Sequence, residues 1–500
     1  MNRDTTPMAG AAKISTGVPG LDTILGGGLT PHRVYLLEGT PGTGKTTFGL
    51  RFLLAGVELG ERGLYITLSE TADELRGVAA SHGWSLDRIS LFELLDEGWR
   101  DPDAEQSILY PSEVELGETI RRITAEIDRS EPTRVVFDSL SEMRLLAQDP
   151  LRYRRQVLAL KHFFSTRACT VLFLDDKTGE PGDLQLHSLS HGVISLEQTV
   201  QGYGTEHRRL RVVKMRGQAF QRGSHDFLLD TGRLSVFPRL TASQHRAVLA
   251  HQTVSTGLSE LDQMLGGGLS RGTNLLLVGP SGVGKTSTAM RCMRAALERG
   301  EKGAYYLFDE GVSTLLLRSR ELHMEVDSFV ENGNLQMRPI DPAELSPGEF
   351  ACDVVQAVER DGCSFVVIDS LNAYQQAMPG EAFLLLHMHE LLTHLNHSGV
   401  TTLLVVAQHG VVTDLRSDLD LSYLSDAMLL FRYFEAAGGV RTAITAVKNR
   451  TRANERTIRE FRMSSAKGLQ VGEPLAGFEG ILAGVPDYTG STELIGTGQP

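Results

Sequence analysis

Cysteine is scarce in this 500-residue chain, which has four. Cys169, Cys292, Cys352 and Cys363 form no CxxC pair and no framework of the secreted type, so they read as reduced thiols of a cytoplasmic protein. No run of about 18 apolar residues occurs, and the opening MNRDTTPMAGAAKIS lacks the apolar core of a signal peptide. Neither export nor a membrane span is expected. Basic residues are in deficit, 49 Lys and Arg against 62 Asp and Glu, for a net charge of −13. A protein built to grip phosphate backbones shows the opposite balance, so nucleic acid is not expected as a principal partner. What is present is 41% apolar residues and 52 glycines, an ordinary globular composition without low-complexity runs. The chain is too long for one core, and its length points to roughly two to four domains.

The chain is a duplication. STGVPGLDTILGGGL (15–29) recurs as STGLSELDQMLGGGL (255–269), GTPGTGKTT (39–47) as GPSGVGKTS (279–287), and GLYITLSE (63–70) as GAYYLFDE (303–310). VVFDSL (135–140) answers VVIDSL (366–371), and VVKMRG (212–217) answers AVKNRT (446–451), in the same order. Expected boundaries are a disordered tail at 1–13, a first domain at 14–245, a second at 246–484 and a flexible tail at 485–500. Within each copy, short apolar runs (VYLLEG, NLLLVG) end at a glycine loop, and apolar residues at helical spacing follow. RVVFDSL and SFVVIDSL are near-continuous apolar runs, as strands buried on both faces require. Later stretches such as HRRLRVVKMRG and VRTAITAVKNR alternate like antiparallel strands. The fold class read from this texture is α/β, with two tandem RecA-like P-loop NTPase domains. Each is a mainly parallel twisted sheet flanked by helices, with an antiparallel extension.

GxxxxGK[ST] occurs twice and supplies the phosphate chemistry. Its glycines let the backbone curl so that N–H groups and a helix N-terminus surround phosphates. The candidate nucleotide-binding residues are Gly39, Thr40, Gly42, Thr43, Gly44, Lys45, Thr46 and Thr47 in the first copy. Gly279, Ser281, Gly282, Val283, Gly284, Lys285, Thr286 and Ser287 are their counterparts in the second. Lys45 and Lys285 reach the β- and γ-phosphates of ATP, while the Thr46 and Thr286 hydroxyls ligate Mg²⁺. Asp138 and Asp369, ending apolar strands, hold the metal through its water shell. Hydrolysis also needs a carboxylate to orient or deprotonate water. Glu70 and Glu310, with Asp309 beside the latter, end the strands that follow the P-loop helices. A solvated acidic loop is the other reading of those residues. Lys214 with Arg216, and Lys448 with Arg450, alternate on expected strands and so share a face. That spacing suits completion of a neighbouring subunit's site, and equally an exposed strand face with snorkelling side chains. HMHELLTHLNH (387–397) imitates the zinc motif HExxH, but His389 and His394 are five residues apart rather than four. A solvated helix is expected there.

In this order the paired STG…LD…LGGG openings, two P-loops, SE/DE, FDS/IDS and K-x-R elements resemble the KaiC family of two-domain circadian-clock ATPases and autokinases. The resemblance runs from about residue 14 to 485 and includes LAGFEGILAGVPDYT (475–489). It implies a homo-hexamer with nucleotides at subunit interfaces, hydrolysis in the first ring and serine/threonine autokinase activity in the second. Regulatory partners of the Kai type, or two-component signalling proteins, are implied with it. The family's Glu-Glu pair reads Ser69-Glu70 in the first copy, where Ser81 also matches a nucleotide contact, and Asp309-Glu310 in the second. The K-x-R-G element matches at Lys214 to Gly217, but the Thr and His that follow it are Gln218 and Phe220. The adjacent Ser-Thr phosphoacceptors fall on Ser422 and Tyr423, so Ser422 is the candidate acceptor. Two rival functions share the nucleotide core: a RecA/RadA-type DNA-dependent ATPase, and a nucleotide-stabilised signalling scaffold with little turnover.

Overall fold

The computed structural model describes residues 12–94, 111–147, 149–177, 185–200, 204–241, 252–341, 343–376, 384–408, 421–436, 438–482 and 487–488, with side chains left out at 111–115, 185, 421 and 422. The chain divides into two compact units, Met1–Arg239 and Leu240–Pro500.

In the first unit the strands are β1 (Val34–Gly39), β2 (Gly63–Thr67), β3 (Ile89–Glu93), β4 (Arg134–Asp138), β5 (Thr170–Asp176), β6 (Gly192–Thr199), β7 (His207–Met215), β8 (Ser224–Asp230) and β9 (Arg233–Phe237). They form one sheet in the order β3-β2-β4-β5-β1-β6-β7-β8-β9. Pairing is parallel from β3 to β6 and antiparallel from β6 to β9. The parallel core follows from composition: every residue of β1, β2 and β4 is buried, so both faces carry apolar side chains. Helix Lys45–Glu58 packs Phe48, Phe52 and Leu53 against one face. Helices Pro111–Ser130, Leu140–Ala147 and Pro150–Ser165 cover the other, through Ile123, Met143, Leu160 and their neighbours.

The second unit begins with the short strands β10 (Thr253–Val254) and β11 (Leu269–Ser270). Its main sheet comprises β12 (Asn274–Gly279), β13 (Lys302–Leu307), β14 (Leu335–Pro339), β15 (Cys363–Asp369), β16 (Thr401–Ala407), β17 (Ala427–Ala436), β18 (Gly439–Asn449), β19 (Ile458–Ser464) and β20 (Gly468–Pro474). The order β14-β13-β15-β16-β12-β17-β18-β19-β20 repeats the first sheet strand for strand. The duplicated sequence thus specifies a duplicated topology. The STG…LD opening is an architectural buckle in both copies. Thr16 N and Oγ1 donate to Asp22 Oδ1 at 2.8 and 2.7 Å, and Ser15 Oγ donates to Oδ2. Ser255, Thr256 and Asp262 repeat these bonds.

The helix Leu384–His397, which carries the HExxH-like stretch, is not solvated all round. It buries Met388, Leu391, Leu392 and Leu395 against the sheet, because apolar residues recur at helical spacing between the histidines. His394 is buried beside Glu359 at 3.3 Å. Among the described residues no group of three or more His, Cys, Asp or Glu side chains is placed to hold a metal. No described helix is long and apolar enough to cross a membrane.

Candidate active sites

Each P-loop joins the end of a central strand to a helix N-terminus. β1 ends at Gly39 and helix Lys45–Glu58 begins six residues later; β12 ends at Gly279 and helix Lys285–Glu298 begins likewise. The residues that turn the chain into the helix, Gly44 and Gly284, have φ of +94° and +99°, where a Cβ would be strained. A Cβ would also meet Leu229 at 2.6 Å in the first unit, and Phe461 and Met463 at 2.7 Å in the second. The hairpins β8–β9 and β19–β20 therefore lie against the loops, a role that the sequence reading did not assign. Among the described residues no side chain caps either helix, so the first N–H groups are left for a ligand. Thr43 spends its hydroxyl inside the loop, donating to Thr40 O at 2.8 Å.

Lys45 and Lys285 are folded back over their loops. Lys45 Nζ donates to the carbonyls of Gly39 and Thr40 at 3.0 Å each, and pairs with Asp176 at 2.7 Å. Lys285 Nζ donates to the carbonyls of Gly279 and Pro280 at 2.8 and 2.6 Å. Burial pushes Lys285 down to about 8, with nearby Asp369 opposing that shift. The residue level with Asp176 in the second sheet is Ala407, since Gly39 pairs with Asp176 and Gly279 with Ala407. At that place the first unit offers its lysine a carboxylate and the second unit an alanine.

The candidate metal residues come together in both units. Thr46 Oγ1 lies 3.2 Å from Asp138 Oδ2, which also accepts from the Tyr65 hydroxyl at 2.5 Å. Asp369 accepts from Tyr305 at 2.9 Å and from Thr286. Burial raises both aspartates above the usual carboxylate range, against the opposing effect of these hydrogen bonds. One hydroxyl and one carboxylate per site suit Mg²⁺, which keeps waters and takes further oxygens from substrate phosphates. The tyrosines went unnoticed in the sequence, although Tyr65 and Tyr305 stand at matching places in the two copies and were legible there.

The carboxylates differ between the units. Glu70 follows β2, its backbone tied to the Thr67 side chain, and its Oε2 is buried with no hydrogen-bond partner among the described residues. Burial first, then Asp138, Glu74 and Asp176, raise its pKa. In the second unit Glu310 is held by Arg318 through two bonds, of 3.0 and 2.7 Å, and Asp309 accepts from Ser370 at 2.6 Å. A cavity of about 350 Å³ gathers Lys285, Thr286, Asp309, Glu310 and Asp369, with Met463 at its wall. Helices Ala72–Ser81 and Val312–Glu321 start two residues after their glutamates, which puts Val78 where the second copy has Arg318.

The remaining candidates lie elsewhere. Lys214 Nζ donates to Ser190 O at 2.9 Å and Arg216 to Ser188 O at 2.9 Å. Lys448 Nζ donates to Ser425 O at 2.6 Å. Arg216 N and Arg450 N bond His191 O and Asp426 O, whose own N–H groups reach Val34 and Asn274, the first residues of β1 and β12. Both cation pairs therefore sit at the strand ends opposite the P-loops, roughly 16 Å away at ~3.3 Å per residue. The strands stop at Met215 and Asn449, so the two cations of each pair straddle a strand end instead of alternating within it. Gln218 anchors the glycine loop through Leu25 O and Gly28 O. Ser81 ends its helix, bonded to Val78 O, about 15 Å along the axis from the Glu70 end. Ser422 falls in the turn Leu421–Leu424, and its side chain is outside the described residues.

A family model described as the ATPase KaiC matches residues 14–241 and again 254–476. The chain belongs to the KaiC family. It is similar to the circadian clock protein KaiC3 of Synechocystis sp., 25% identical over 495 residues, covering 97% of this chain and 96% of the relative. The circadian clock oscillator protein KaiC of Parathermosynechococcus lividus is 27% identical over 498 residues, covering 97% and 90%. That of Synechococcus elongatus is 26% identical over 493 residues, covering 95% and 92%. A KaiC-family ATPase accounts for the two nucleotide-type sites, and the DNA-dependent ATPase reading is not favoured. The KaiC match also spans the antiparallel extensions, whose hairpins touch the P-loops.

Proposed function

We propose that this KaiC-family ATPase binds Mg·ATP in both units, and that each site is completed by a neighbouring copy in a cytoplasmic homo-hexamer. The observation that carries this reading is the separation, in both units, of the P-loop from Lys214 and Arg216 or Lys448 and Arg450. Cations at the far strand ends are too distant to serve their own phosphates, which supports their serving another copy's. In each site Lys45 or Lys285 leaves its loop carbonyls for the β- and γ-phosphates, and the helix N-terminus receives their charge. Thr46 with Asp138, and Thr286 with Asp369, hold Mg²⁺. The metal when bound neutralises charge on the β- and γ-oxygens. Glu70 orients the attacking water in the first unit. Phosphate release from purified protein tests the reading; no release above background favours a nucleotide-held scaffold.

The second unit is the slower of the two, because the bidentate Arg318 pair engages both oxygens of Glu310. On a Lys45→Ala background, which silences the first site, Arg318→Ala is expected to raise ATP turnover several-fold. Unchanged or reduced turnover would show that the pair does not restrain Glu310. Autophosphorylation belongs to this unit. Ser422 is the acceptor, with Asp309 or Glu310 as base and Lys448 and Arg450 neutralising the phosphoryl charge. Incubation with labelled ATP and peptide mapping is expected to place label on Ser422. Label that persists in Ser422→Ala would overturn the assignment. Regulatory partners in this reading are proteins of the Kai type or two-component signalling proteins.

A further inference from the structure

The end of β5 brings a carboxylate onto the first P-loop from outside the loop. Asp176 Oδ1 pairs with Lys45 Nζ at 2.7 Å, the lysine side chain 9% exposed and the aspartate 30%. Helix Leu140–Ala147 fixes the direction of that carboxylate. Ser141 Oγ donates to Asp176 Oδ2 at 3.2 Å and accepts from Asp176 N at 3.3 Å, and the Ser139 and Ser141 hydroxyls lie 2.6 Å apart. The charge is felt deeper in the site: burial first raises the pKa of Glu70 and of Asp138, and Asp176 adds to both shifts. Lys45 Nζ has three N–H groups, and Gly39 O, Thr40 O and Asp176 Oδ1 are their partners. Phosphate oxygens can be bound only at the expense of these partners, and the charged one is the hardest to displace.

The second unit keeps the frame and changes the charge. Gly39 pairs with Asp176 across β1 and β5, and Gly279 pairs with Ala407 across β12 and β16. Ser141 is the second residue of its helix, and Asn372 is the second residue of the matching helix Leu371–Gln376. Ala407 N donates to Asn372 Oδ1 at 2.6 Å, as Asp176 N donates to Ser141. The backbone tie at the strand end is thus common to both units, and the fold does not need an acid there. The second unit places an acid after β13 instead, where Asp309 stands at the place of Ser69 and accepts from Ser370.

We propose that Asp176 is a positioning residue that sets the nucleotide affinity of the first site by competing with the phosphates for Lys45. It rests on the P-loop occupancy proposed above. The lysine must leave Asp176 for a diphosphate as for a triphosphate, so both are weakened alike, and the carboxylate recaptures the lysine as product departs. The test is equilibrium binding of Mg·ADP and of a non-hydrolysable Mg·ATP analogue to the full chain on a Lys285→Ala background, so that the first site reports. Asp176→Ala, which introduces the residue of the second unit, is expected to tighten both ligands roughly tenfold, because the competent fraction of Lys45 rises. A gain of affinity is a result that damage to the fold would not give. The converse change, Ala407→Asp on a Lys45→Ala background, is expected to weaken both ligands at the second site. Unchanged or weakened binding in Asp176→Ala overturns the proposal, whatever Ala407→Asp does. Tightening of the triphosphate alone also overturns it, since Asp176 would then repel the γ-phosphate without holding the lysine. Failure of the Lys285→Ala parent and of every variant to bind either ligand would remove the P-loop reading, and this proposal with it. If Asp176→Ala does not fold, the isosteric Asp176→Asn decides by the same criteria.

Discussion

Arg216→Ala is expected to lower ATP hydrolysis by the first unit roughly 10³-fold while leaving its P-loop occupied, because a cation supplied in trans stabilises charge on the transferring phosphoryl group. The structure gives the geometric reason: Arg216 follows β7 at the end of the strands opposite Gly39, with its backbone bonded to His191. The measurement is made on a Lys285→Ala background, so that only the first unit reports. Mixing this protein with a Glu70→Gln protein then gives a sharper result. Where the Arg216→Ala copy offers the P-loop and the Glu70→Gln copy offers the arginine, the interface is intact. In a random equal mixture that holds for about a quarter of the interfaces. Hydrolysis should recover accordingly. No recovery after verified subunit exchange would mean that Arg216 acts within its own chain or not at all.

Glu70→Gln alone is expected to reduce first-unit hydrolysis by roughly 10² to 10⁴, the range for loss of a positioned acid or base. ATP affinity should be little changed, since the amide keeps the shape and no bond to Glu70 Oε2 is lost. Steady-state turnover and ATP affinity, measured together, check this. A rate within a few-fold of the parent would remove Glu70 from the mechanism. The corresponding Glu310→Gln change in the second unit should cost far less, because Arg318 already engages that carboxylate.

Much of this was legible in the sequence because the chain states it twice. A strand, a glycine loop and a helix at residues 34–58 recur at 274–298, and the repeat turns a short motif into an architecture. Asp138 gained its meaning the same way, from Asp369 standing behind an equivalent loop. Features specific to one copy were harder to read. Asp176 ends an apolar run as Asp138 does, but its counterpart is Ala407, so the repeat gave it no support. Arg318 sits eight residues beyond Glu310, and only the helix between them brings the guanidinium back onto the carboxylate. Leu229, Phe461 and Met463 approach the P-loops through hairpins that close long after the loops in sequence. Lys214 and Arg216 stand out as a pair in the sequence, yet alternation on a strand could not reveal that the strand ends between them.

The claim on which the rest depends is that each copy holds two nucleotides through its two P-loop lysines, in a ring. Native mass spectrometry with Mg·ATP measures assembly and occupancy together. A hexamer carrying two nucleotides per copy is expected, falling to one per copy in Lys45→Ala and in Lys285→Ala, and to none in the double variant. Full occupancy in either single variant, or nucleotide-loaded protein that stays monomeric, would contradict it.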